Sequence, residues 1–125
     1  MQYLAGTDSV HTTAALCDYL EGRATSDDAV TVVATVDETT APQDAREALT
    51  VAPVRLAGVG SVETAVHEGS PESVLPAVAD EIGADELLVG AYSGNPAATA
   101  TVGSTTTALL EQTTRPVVVV PIPEL

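Results

Sequence analysis

One stretch of the chain combines residue types and spacing that suit a chemical task. Gly90 closes the short apolar run Glu86 to Gly90 (ELLVG), residues 91–102 are small or polar, and Gly103, Ser104 and Thr105 open a segment of helical character. A helix amino terminus carries unpaired N–H groups and partial positive charge, and glycine lets an anion approach the backbone closely. Phosphate binding is the chemistry such a segment could perform. The same residues also suit a plain turn, with Gly90 and Gly103 permitting it and Ser104 capping the helix.

A second candidate is the turn Gly6-Thr7-Asp8, where an acid follows the first apolar run. Its carboxylate would either face a ligand or cap the helix that follows. His11, His67 and the single Cys17 have no neighbour in sequence that would make them a nucleophile pair or a metal cluster. Asp27-Asp28, Asp37-Glu38 and Asp80-Glu81 read as solvated surface. Nothing assembles a triad, so at most slow hydrolysis by positioning is expected and no dedicated catalysis.

These candidates must be held by regular elements. Tyr3 to Gly6 predicts a strand, and the recurrence of Val10, Ala14, Cys17 and Leu20 predicts a helix with Cys17 on its apolar stripe. Ala29 to Val36 (AVTVVATV) is β-branched and nearly all apolar, as a strand buried on both faces would be. A short helix is expected over Gln43 to Leu49, and residues 51–60 show no period. Val62 to Glu68 alternates like a strand near an edge. Gly69, Ser70 and Pro71 then read as turn, N-cap and first helical position, with Val74, Leu75, Val78 and Ile82 on one face and Gly83 at the end. Pro76 removes a backbone hydrogen bond there and predicts a kink. Two strands, Glu86 to Gly90 and Val117 to Ile122, flank a helix from Ser104 to about Thr113.

The alternation of strands and helices predicts one domain over 1–125, an α/β doubly wound open sheet of five parallel strands. Ligands of such sheets sit beyond the carboxyl ends of the strands. Those ends carry Gly6 to Asp8, Val36 and Asp37, and Gly90 onwards.

Composition narrows the partners. The chain is 45% apolar but only 2% aromatic, so Val, Leu, Ile and Ala must fill the core. Eighteen acidic residues face four arginines and no lysine, for a formal charge of −14. With no basic patch, neither nucleic acid nor an anionic membrane is an expected partner. Like charges repel across such a surface until roughly 1 M salt shortens the Debye length to about 3 Å. The lysine-free surface therefore predicts adaptation to high internal salt. The start, MQYLAGTD, has no basic region and no long apolar run. We expect no signal peptide, no membrane span and a cytoplasmic location.

The segment LLVGAYSGNPAATATVGSTTTALLEQTTRPVVVV resembles the carboxyl-terminal signature of the universal stress protein (UspA-type) family, G-x2-G-x9-G-[ST] followed by a helix, Pro and an apolar strand. Gly90, Gly103-Ser104 and Arg115 to Val120 carry that likeness. LAGTDS at Leu4 to Ser9, Thr31 to Asp37 and EGSPESVL at Glu68 to Leu75 extend it over most of the chain, as an acidic, haloarchaeal-like member. The resemblance implies an adenine-nucleotide α-hydrolase-like sheet of order 3-2-1-4-5, a homodimer through Val117 to Val120, and ATP or another adenine nucleotide as ligand, with Mg²⁺. Carried over, Asp8 would meet the ribose or a phosphate-bound metal, with Thr7 beside it as a further cofactor-binding candidate, and the Val36 backbone would meet the adenine edge. Gly90, Gly103, Ser104 and Thr105 would surround the phosphates, and Ala91, Ser93 and Gly94 are further cofactor-binding candidates in the loop. The chain departs from the pattern at the second glycine, where Ser93 stands and Gly94 falls one position late. Residues 91–102 also carry no Lys or Arg, so retained but weakened nucleotide binding is expected, the alternative being a nucleotide-free dimeric interaction module. A flavoprotein on a related sheet is a third possibility, and it would be yellow.

Overall fold

The computed structural model describes residues 1–36, 41–91 and 104–122. Five strands and five helices follow one another as β1 (Gln2–Thr7), α1 (Val10–Glu21), β2 (Ala29–Val36), α2 (Pro42–Leu49), α3 (Ala52–Arg55), β3 (Ser61–Glu68), α4 (Pro71–Ile82), β4 (Glu86–Gly90), α5 (Ser104–Gln112) and β5 (Val117–Val120). The strands pair in the order β3-β2-β1-β4-β5, and every pairing is parallel. This is the predicted doubly wound order.

Strand side chains alternate between faces, and here each face has its own core. Tyr3, Ala5, Val30, Val32, Ala34, Leu88 and Val120 pack on one side beneath α1, α2 and α3, through Leu16, Cys17, Leu20, Ala45, Leu49 and Ala52. Leu4, Val33, Leu87 and Val89 pack on the other beneath α4 and α5, through Leu75, Val78, Ala79 and Leu109. Central strands therefore bury both faces, which is why β2 reads as an unbroken apolar run, whereas the edge strand β3 has no fully buried residue.

Local chemistry sets the boundaries. Ser9 caps α1, its side chain accepting from the Thr12 N–H at 3.1 Å. Pro71 sits in the first turn of α4, and Gly83 ends that helix in the left-handed region at φ 66°, a conformation that glycine adopts without steric cost. Pro76 lies inside α4, which continues through it to Ile82. At the amino end of the sheet Glu86 is buried and accepts from Arg23 Nη2 at 2.8 Å.

Two expectations are corrected in detail, and one stretch without a period gains an element. Val10 is 43% exposed, and the stripe of α1 that faces the core is instead Thr12, Thr13, Leu16, Cys17 and Leu20. Residues 51–60 hold the single-turn helix α3. Strand β5 stops at Val120, since Pro121 has no N–H to donate, and Ile122 packs onto the core under α1. Among the described residues no helix is long and apolar enough to cross a membrane.

Candidate functional site

Three strands end at one place. β1 is flanked by β2 on one side and β4 on the other, so the winding of the sheet reverses between β1 and β4. At such a switch point the connections leave in opposite directions and a crevice opens between them. A cleft of about 390 Å³, counted out to its open mouth, lies here, lined by Gly6, Thr7, Asp8, Thr12, Thr35, Pro71, Leu75, Val89, Gly90 and Thr106. Its wall joins the carboxyl ends of β1, β2 and β4 to the first turns of α1, α4 and α5.

At both glycines an added side chain would have to displace a neighbour's side-chain tip. A Cβ at Gly6 would stand 2.5 Å from Leu75 Cδ1, and one at Gly90 would stand 2.5 Å from Ile122 Cδ1 and 3.1 Å from Thr12 Cγ2. Without side chains there, the backbone of β1 and β4 forms the cleft wall directly.

Hydroxyls organise the rest. Ser9 Oγ donates to Thr12 Oγ1 at 3.0 Å, and Thr12 Oγ1 donates to Asp8 Oδ1 at 3.0 Å. Thr7 and Thr13 share a buried hydrogen bond of 2.7 Å. Thr106 Oγ1 donates across the cleft to the Gly90 carbonyl at a long 3.4 Å. Asp8 is thus held beside the cleft from outside the helix; capping α1 belongs to Ser9.

Burial pushes the Asp8 carboxyl above its ordinary value of 3.8, and the hydrogen bonds from Thr12, its own backbone and Ser9 oppose the shift without cancelling it. The folded chain then holds the Asp8 proton more tightly than the unfolded chain, so ionisation of Asp8 costs stability once the pH rises through its folded value. Asp8→Asn is expected to raise the thermal midpoint slightly at neutral pH. Below pH 3.8, where both states keep the proton, the gain should vanish. Thermal scans of both proteins across pH 3 to 8 check this.

Of the candidate residues, the cleft gathers Thr7, Asp8 and Gly90. Ala91 is buried just beyond, its N–H donating to the Val120 carbonyl at 3.0 Å. Val36 ends β2 half-buried, its carbonyl accepting from the Gly69 N–H at 3.0 Å, and its neighbour Thr35 lines the cleft instead. Ser104 and Thr105 form the first turn of α5. Ser93, Gly94, Gly103 and the pair Asp37-Glu38 lie outside the described residues. Sequence reasoning missed Thr12, Thr35 and Thr106, whose only signal is a threonine at or beside the end of an element.

An all-parallel, doubly wound sheet of order β3-β2-β1-β4-β5 with a cleft at its switch point defines the α/β class of the fold. The chain belongs to the universal stress protein family, whose model matches residues 4–121. Solved structures share its fold. A universal stress protein in complex with cAMP is 24% identical, with a TM-score of 0.74 and 98% of each chain covered. UspA from Lactobacillus plantarum is 19% identical, with a TM-score of 0.75 over 96% of this chain and 97% of that one. The universal stress protein from Archaeoglobus fulgidus in complex with dAMP is 17% identical, with a TM-score of 0.69 over 96% and 97%. A sequence search of curated proteins finds no match.

Proposed function

We propose that this chain is a stress-response protein that binds an adenine nucleotide in the switch-point cleft and acts through its liganded shape and its partners, without a dedicated reaction. The observation that carries this is the meeting of Asp8, from the turn after β1, with Thr35, Gly90 and Thr106, from three separate elements, around one cleft. The cAMP and dAMP complexes of two relatives support it. Leu75 and Val89 offer an apolar wall for a base, Asp8 and the threonine hydroxyls offer partners for a ribose, and the amino end of α5 offers N–H groups for a phosphate. Among the described residues no three His, Cys, Asp or Glu side chains gather to hold a metal. Were Mg²⁺ to enter with the ligand, Asp8 would be the carboxylate of the cleft to meet it, and the ion would neutralise phosphate charge there. ATP, the ligand the family resemblance implies, would enter as its magnesium complex.

Titration calorimetry at molar KCl tests this function. Saturable heat with AMP, cAMP or Mg-ATP is expected, and silence with all three would overturn it. Ser93, standing where the family motif has glycine, favours the second reading, a nucleotide-free interaction module of the same fold. That silence is its signature.

Three further features complete the proposal. Strand β5 pairs with β4 along one edge. Its other edge is closed by the same strand of a second copy, which a two-fold axis permits; a solution mass of twice 12.6 kDa is the expected result. The acidic, lysine-free surface suits the cytoplasm of a salt-accumulating cell, and the stability midpoint is expected to rise steeply between 0.1 and 1 M KCl as repulsion is screened.

A further inference from the structure

Positive charge is absent from where a polyphosphate would need it. All four arginines are placed. Arg23 pairs with Glu86 at the amino end of β4. Arg55 pairs with Asp18 and Glu21 near the carboxyl end of α1. Arg115 pairs with Asp80 at 2.5 Å and donates to the Ala84 carbonyl at 2.6 Å, just before β4. Arg46 lines a different groove, beside Thr64 and Val66 of the β3 edge. None of them lines the cleft, and among the described residues Asp8 is the one charged residue that does. Residues 37–40 and 92–103 contribute no Lys or Arg to the sequence, only Asp37 and Glu38. The amino end of α5 supplies roughly half a unit of positive charge, which suits one phosphate and leaves further ones uncompensated on a chain of charge −14.

We propose that the cleft ranks adenine ligands by charge: without a divalent cation it takes the nucleoside and monophosphate ahead of the triphosphate, and Asp8 sets the order. This rests on the nucleotide function proposed above and deepens it by naming the ligand class. Each negative charge added beyond the first phosphate weakens binding by about fivefold, the size of one water-screened charge pair at contact. Salt flattens the ranking, because at roughly 1 M the Debye length falls to about 3 Å.

The test is a calorimetric series of adenosine, AMP, ADP and ATP in EDTA at 0.2 and 2 M KCl, on the wild-type chain and on Asp8→Asn. Expected is a steady loss of affinity from AMP through ADP to ATP, with ATP about 25-fold weaker than AMP at the lower salt and adenosine no weaker than ATP. The slope should shrink at 2 M KCl and also in Asp8→Asn, and Mg²⁺ should restore ATP. If no member of the series binds under any condition, the nucleotide function itself fails. If ligands bind and ATP matches or exceeds AMP in EDTA, the ranking by charge is overturned while the nucleotide function stands. A slope that Asp8→Asn leaves unaltered removes Asp8 as its origin. The salt dependence of the wild-type chain needs no variant and overturns the ranking independently if the slope steepens with KCl.

Discussion

Gly6→Val is expected to abolish nucleotide binding, weakening AMP by at least about 100-fold, while the chain still folds. The wall of the cleft at β1 is bare backbone, and a Cβ there already meets Leu75 Cδ1 at 2.5 Å and Cδ2 at 3.1 Å. Leu75 also lines the cleft, so both the new methyls and the displaced leucine end intrude on the space a ligand would occupy. A flexible side-chain tip can give way where backbone cannot. Overpacking of this kind costs about 1–3 kcal/mol, less than the roughly 5–15 kcal/mol that holds a domain together. Calorimetry with AMP reads the loss, and far-ultraviolet circular dichroism with a denaturant midpoint shows the retained fold. Undiminished binding would mean that the ligand lies elsewhere.

The sheet was largely legible before its structure, because strand and helix periods are strong where burial is strong. Ala29 to Val36 has the predicted bounds, since β2 is covered on both faces and tolerates only apolar or small side chains. Pro71 and Gly83 fixed α4 because the first needs no N–H at a helix start and the second adopts the left-handed conformation that ends one. Helix α3 was hidden. A single turn held by Arg55 N–H to the Val51 carbonyl and Leu56 N–H to the Ala52 carbonyl, both 2.9 Å, is too short to repeat a pattern.

The site divides the same way. Thr7, Asp8 and Gly90 could be placed at the cleft because topology alone sends a doubly wound sheet's ligands to the carboxyl ends of its strands. Thr35 escaped because it sits inside an apolar strand and alternation decides which of Thr35 and Val36 borders the cleft. Thr106 escaped because one threonine among three has no distinguishing neighbour; only the approach of α5 to Gly90 singles it out. Sequence shows where strands stop, whereas the wall facing a ligand depends on how helices from distant parts of the chain lean over that stop.

The largest loss of stability is expected from Leu88→Ala. Leu88 is fully buried on β4, between β1 and β5, and belongs to the core beneath α1 that also holds Tyr3, Leu16, Leu20 and Val120. Leu to Ala at such a position costs about 2–5 kcal/mol, the upper end where neighbours cannot collapse into the space. Collapse is restricted here. The chain has no Phe or Trp and only three Tyr, and the surrounding core is mostly β-branched or small side chains, stiff at χ1 or too short to reach across a vacated site. Urea titration at constant high KCl should show a lower midpoint with an unchanged slope, since the surface exposed on unfolding is nearly the same. Val54→Ala, at a residue 77% exposed on α3, is the control and should stay within about 0.5 kcal/mol of the parent. Were Leu88→Ala no worse than this control, β4 would not be the central, doubly covered strand that the sheet order requires, and the cleft at its carboxyl end would lose its rigid wall.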